Sequence, residues 1–177
     1  MNKSAEHKPC LRFNENRLRK LAERYDYTIS EEEIIDLIPY EQKKGYLNKK
    51  ELHKVVYWKS PRIAAHVKRN DDEFILEITR FALNAKSEKS RIESLTLLKG
   101  ASWPVVSVVL HFFHKDPYPI IDFRALWSIS LEPPSFYNFE FWWQYVLFCR
   151  ELAEKNKVDM RTLDRALWQY SKENQNN

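Results

Sequence analysis

Lys99-Gly100-Ala101-Ser102-Trp103 gathers a cation, a residue at ease at positive φ, a hydroxyl and an aromatic ring within five positions. Gly100 is one of only two glycines in 177 residues, so its placement between two apolar segments asks for a reason. Glycine just after a helix supplies the left-handed conformation that ends it. The helix that follows presents backbone N–H groups at its start, and such groups bind anions. A hairpin of this kind is a phosphate anchor, with Lys99 adding charge and Lys86, Lys89 and Arg91 on the preceding segment. The same residues would equally serve as a plain C-cap between packed helices. Downstream, Asp122 falls near the start of a further helix, where the dipole keeps a carboxylate ionised. It could also simply N-cap that helix. Arg124 lies off Asp122's helical face and is read as a phosphate contact or a solvated side chain.

Other constellations carry less. His111 and His114 share a helix at a spacing a metal could use, but only Asp116 accompanies them, so no metal site is expected. Cys10 and Cys149 are too few for a disulfide framework or a four-cysteine iron–sulfur cluster.

The elements that must position these residues read as helices throughout. The first runs from Asn14 to about Tyr25. Ser30, followed by Glu31, Glu32 and Glu33, is expected to cap the next, which ends by Pro39. Asn48-x-x-Glu51 resembles a capping box for a helix through Trp58. Ser60-Pro61 opens a short helix to about Arg69. Asn70-x-x-Glu73 opens another, with Phe74, Ile75, Ile78, Phe81 and Ala82 at helical spacing. Ser87 caps a helix carrying Ile92, Leu95 and Leu98, and Ser102 one from Trp103 to about His114. Asp116-Pro117-Tyr118-Pro119 must be non-helical. The Asp122 helix, over about 120–131, is broken by Pro133-Pro134. Helices over Asn138–Glu154 and Asp159–Glu173 complete nine or ten, with no convincing strand. Asn138–Glu154 is apolar almost all round, and such a helix is usually buried between two layers. Near the C-terminus, Asp164 can pair with Arg161 or Arg165.

The spacing along this segment resembles the hairpin of the helix-hairpin-helix DNA glycosylase superfamily, whose pattern reads L-P-G-V-G-x-K-x-A before an apolar helix. Leu98 matches the leading leucine, Gly100 the first glycine, Ala101 the residue between the glycines, and Ser102 takes the second glycine position. Pro104 stands where bifunctional members carry a catalytic lysine, and Val106 at the small-residue position. An essential aspartate follows that lysine slot by eighteen residues, and here that position is Asp122. The approach "PYPIID" is also similar. The likeness covers residues 60–130 in detail, with the hairpin over 95–114.

What the resemblance implies is a single all-α domain over 1–177, two-lobed like the family's fold. It implies a DNA-binding, glycosylase-like protein that is monofunctional, since proline cannot form a Schiff base. Asp122 would then assist cleavage of an N-glycosidic bond, where positive charge develops on the sugar. Lys99, Gly100, Ser102, Trp103 and Arg124 would contact DNA, and Trp58, Tyr118 and Trp127 are candidates for a pocket holding a flipped base. The alternatives are a non-catalytic DNA- or protein-binding member of the same fold, and an interaction protein with a chance hairpin. No cofactor, metal or iron–sulfur cluster is expected.

Composition agrees with helices. Apolar residues make up 44% of the chain and aromatics 14%, enough for a buried interior. Two glycines are too few for the turns of all-β or doubly wound folds. A net charge of +4 permits nucleic-acid binding without demanding it. The sequence has no apolar run of membrane-spanning length, and "MNKSAEHKPCLRFNENRLRK" is too polar for a signal peptide. A reducing cytoplasm is the expected compartment.

Overall fold

The computed structural model describes residues 8–175, so the first seven residues of the polar N-terminal stretch lie outside the described residues. The described chain is all-helical. In order, a 3-10 turn Glu15–Arg17 leads into α1 (Leu18–Glu23), followed by α2 (Ile29–Ile35), α3 (Ile38–Lys44) and α4 (Lys49–Lys59). A 3-10 helix Pro61–Arg69 precedes α5 (Asp72–Asn84), α6 (Glu88–Leu95) and α7 (Trp103–Phe113). The last are α8 (Phe123–Ser128), α9 (Phe139–Lys155) and α10 (Met160–Asn174). No helix among the described residues is long and apolar enough to cross a membrane.

Two compact units form. Asp26–Ile120 is one; the chain up to Tyr25 together with the segment from Ile121 onward is the other. The first has α7 as its most apolar element: Val105, Val106, Val108, Val109 and Leu110 are wholly buried. Leu52, Val55 and Val56 of α4, Ile75 and Ala82 of α5, and Ile92 and Leu95 of α6 are also fully buried. In the second unit α10 packs on α1 and α8, burying Leu163, Ala166 and Leu167 with Leu18, Leu21 and Leu126. Ser128 Oγ donates to the Leu167 carbonyl at 2.6 Å, fastening α8 to α10.

Several helix boundaries differ from those the sequence suggests, each for a local reason. Thr28, not Ser30, caps α2; Thr28 is extended and its hydroxyl accepts from Glu31 N. Pro39 does not stop that helix. It occupies the first turn of α3, where a missing N–H costs nothing. Residues 61–69 wind as a 3-10 helix rather than an α-helix. Asn70 is not the cap of α5; Asp71 takes that position. On α5 the buried face is Ile75, Thr79 and Ala82, while Phe74 and Phe81 point outward, Phe81 being 53% exposed. α6 ends at Leu95, short of Leu98. α9 is one-sided, burying Trp142, Tyr145, Val146, Cys149 and Leu152, whereas Leu147 is exposed. The capping box at Asn48 and Glu51 forms with both reciprocal bonds.

α8 spans six residues and stops well before Pro133. Its end is a Schellman turn: Leu131 N donates to Leu126 O and Ser130 N to Trp127 O, with Ser130 at φ 62. α9 closes the same way through Val158 N to Ala153 O and Lys157 N to Glu154 O, with Lys157 at φ 51. Glycine is the residue that fits this position without strain. Lys157 is exposed. Lys157→Gly is therefore expected to stabilise the protein by about 0.5–1 kcal/mol, seen as a raised denaturation midpoint. A lowered midpoint would show that the lysine side chain, not its backbone, matters there.

Candidate phosphate-binding hairpin and the Asp122 helix

The hairpin is built on a β-turn rather than on the end of α6. Ala101 N donates to Leu98 O at 3.0 Å, and Gly100, third in the turn, sits at φ 89. Positive φ at that place is the signature of a type II turn and favours glycine. Space is tight as well. A Cβ on Gly100 would lie 3.3 Å from the Ile63 carbonyl oxygen and 3.4 Å from His66 Cβ and Val67 Cγ2. The 3-10 helix is packed directly onto the glycine.

Asn70 holds the turn. Its Oδ1 accepts from Lys99 N at 2.8 Å, and its Nδ2 donates to Lys99 O at 2.9 Å and to Val67 O at 3.0 Å. One buried amide thus satisfies both polar groups of the turn's second residue and the end of the 3-10 helix. Sequence reasoning assigned Asn70 to a cap and missed this role. Its polar type at a buried site has no periodic signature, because the partner lies 29 residues away.

Beyond the turn the chain enters α7 through Ser102, which is extended and exposed. Its hydroxyl makes no cap bond, no acidic residue stands in the first turn, and Pro104 carries no N–H. The caps of α2, α4, α6, α8, α9 and α10 all accept a backbone N–H with a side-chain oxygen. The positive end of the α7 dipole therefore meets no side-chain cap from Ser102. Lys99 is exposed and its Nζ reaches the Arg69 carbonyl at 3.3 Å. Trp103 is half-buried.

In the same unit Trp58 is half-buried, its ring edge-on to Phe112 at 5.8 Å. Tyr118 is fully buried, which corrects its assignment to a base pocket: its ring faces are covered by protein. Its hydroxyl accepts from Arg91 Nη1 at 2.7 Å and donates to Glu88 Oε2 at 2.6 Å. Arg91 is consequently a buried structural cation rather than a phosphate contact; it also donates to the Ala85 carbonyl and pairs with Glu88 at 2.8 Å. His111 Nδ1 lies 2.6 Å from the Tyr118 carbonyl and so carries a proton. His114, also buried, accepts from Asp116 N at Nδ1. Among the described residues no group of three His, Cys, Asp or Glu side chains could hold a metal ion.

Asp122, Arg124 and Trp127 belong to the other unit. Asp122 is half-buried and caps α8, its Oδ1 accepting from Ala125 N at 2.8 Å. Burial pushes the Tyr137 and Tyr145 phenols up, and the nearby Asp122 charge acts in the same direction. Tyr145 hydrogen-bonds Cys149, and burial pushes both groups up, so the thiol is not a nucleophile. Asp164 lies nearby and pairs with Arg161 at 2.6 Å. Neither tyrosine was singled out from the sequence; the aromatic richness of α9 covers Tyr145, while Tyr137 lies before that helix. Arg124 stacks over the rings of Phe123 at 5.1 Å and Trp168 at 5.5 Å. Trp127 stacks on Tyr170 at 5.8 Å with the Arg12 guanidinium 4.6 Å from its ring centre. Both side chains are therefore engaged with α10 and its neighbours.

Comparison of the chain with protein-family models, curated proteins and solved structures returns no match.

Two outcomes follow from this geometry. Asn70→Ala leaves the part-buried Lys99 N–H and C=O without their side-chain partner and should cost about 1–3 kcal/mol, measured by chemical denaturation; a loss below about 0.5 kcal/mol would mean water replaces the amide. His114 has its pKa held below the usual histidine value, first by burial and then by the Arg91 charge. The unfolded chain then binds the extra proton more readily, so stability should fall as pH drops below about 6.5. His114→Asn should flatten that part of the stability–pH curve, and an unchanged slope would remove His114 as its source.

Proposed function

We propose that this chain binds DNA through the Lys99–Trp103 hairpin and is a glycosylase-like protein of the monofunctional kind. The observation that carries the reading is the uncapped start of α7 behind a glycine turn. A turn pinned by Asn70 delivers the chain into a helix whose positive end meets no side-chain oxygen from Ser102, beside the exposed Lys99. That combination favours an anion such as a backbone phosphate. Lys99 N and O are already held by Asn70, so the donors proposed for a phosphate lie elsewhere in the hairpin and on the lysine ammonium.

For catalysis the candidate is Asp122. In the proposed reaction water adds to the sugar carbon and the N-glycosidic bond breaks, its electron pair leaving with the base, which takes up a proton. A carboxylate beside the sugar stabilises the cationic transition state and orients the water. Asp122 stands at the start of α8 with its Oδ1 on Ala125 N. Its cap bond to Ala125 favours a second reading as well, a non-catalytic DNA-binding member of the same fold.

One substitution separates the two. Asparagine caps helices as well as aspartate does, so Asp122→Asn keeps the fold and removes only the charge. Across a panel of duplexes with damaged bases, wild type should release a base and Asp122→Asn should bind the duplex but lose at least a hundredfold in rate. DNA binding without release from any lesion by wild type would establish the second reading. No salt-dependent DNA binding at all would overturn both.

A further inference from the structure

A second cationic feature lies in the Asp26–Ile120 unit; none of Lys99–Trp103 lines it, and it takes in Lys86 from the segment before the hairpin. A groove of about 820 Å³ runs between the end of α3 and the second half of α5, lined among others by Lys43, Gly45, Arg80, Phe81 and Lys86. It is continuous with one of about 370 Å³ that shares Gln42, Gly45, Asn84, Ala85 and Lys86 and extends to Lys115. Lys43, Arg80, Lys86 and Lys115 are all exposed. None of these four makes an ion pair among the described residues. The other cations on the walls are already neutralised: Lys44 sits between Glu41 and Glu51, and Arg91 against Glu88. Glu77 and Asp116 are the acids lining the two grooves, leaving an excess of positive charge.

Part of this charge answers the negative ends of α3 and α5, where Lys43 and Lys44 stand in the last turn of α3. That role does not explain Lys115, in the loop after α7, whereas Arg80, inside α5, has its guanidinium 4.8 Å from the Tyr46 ring centre. It also leaves Phe81 unexplained, an aromatic side chain 53% exposed on the wall between Arg80 and Lys86. A small anion would need donors converging on one point. Here the cations are strung along a continuous groove with an open aromatic face among them, the arrangement that tracks a nucleic-acid strand and stacks its bases.

We propose that this groove binds single-stranded nucleic acid, with phosphates along Lys43, Lys86 and Lys115 and a base on the Phe81 ring. The proposal is independent of the hairpin and of Asp122.

The test is fluorescence anisotropy with a labelled oligo-dT of about 12 nucleotides, titrated at several salt concentrations. Lys43→Gln/Lys86→Gln should weaken binding and reduce the salt slope by about 1.4, the value for two lost phosphate contacts on a single strand. Phe81→Ala should weaken binding about tenfold at fixed salt. All three positions are exposed, so these variants keep the core intact, and far-ultraviolet circular dichroism verifies it. Lys99→Gln, run in parallel, should change oligo-dT binding little. Absence of oligo-dT binding, or loss with Lys99→Gln but not with the groove variants, overturns the proposal. So does equal competition by poly-glutamate together with an unaffected Phe81→Ala, which would make the groove a surface for acidic protein segments.

Discussion

The amide of Asn70 gripping both sides of the Lys99 peptide is the contact on which the Asp26–Ile120 unit depends. A type II turn exposes the polar groups of its second residue, and burying them without partners costs more than the turn contributes. Asn70 removes that cost with one side chain. To do so it must leave helical geometry, and at φ −95, ψ 146 it does. The 3-10 helix therefore ends at Arg69, and its tighter winding brings Ile63, His66 and Val67 against Gly100. The turn in turn aims α7, whose buried run, apolar but for Ser107, organises the core of that unit. Hairpin direction, helix type and core placement are thus one constraint.

Scarcity of glycine shapes the remainder. Four described residues adopt positive φ, and glycine occupies two of these positions, 45 and 100. Gly45 ends α3 in the left-handed conformation, with room around it. Only at Gly100 do conformation and close packing both disfavour a side chain. Ser130 and Lys157 take the same conformation with a Cβ, and the strain is held by two hydrogen bonds in each Schellman turn. At Gly45 the conformation alone favours glycine; at Gly100 tight packing adds to it.

The helical character of the chain was legible because periodic apolar residues and caps are local signals. Asn48 with Glu51, Ser87, Asn138 and Asp159 act where their types and spacing place them. Gly100 was legible as a positive-φ residue, and Asp122 as a helix start. What could not be read is long-range. The destination of the Asn70 amide, the burial of Tyr118 with Arg91 and Glu88, and the exposure of Phe81 depend on which faces meet. Periodicity alone made Phe81 core, because Phe74, Ile75, Ile78, Phe81 and Ala82 all fit one broad stripe. The observed face is narrower and includes a polar residue, Thr79, whose hydroxyl donates to Ile75 O and accepts from Leu47 N. A threonine buried for its backbone bonds shifts the stripe and turns Phe81 outward.

The Asp122 carboxylate shows how one charge serves a helix cap and its surroundings. A helix of six residues has little stability of its own, so α8 relies on its cap and its Schellman turn. The charge that serves the cap also acts on Tyr137 and Tyr145, where it reinforces burial in keeping both phenols protonated. Neutral phenols can donate a hydrogen bond but cannot compete with Asp122 as a base. The ordering is therefore one carboxylate among neutral hydroxyls, with Asp164 compensated by Arg161. Replacing the Asp122 charge while keeping the cap is the change that separates its structural role from any other.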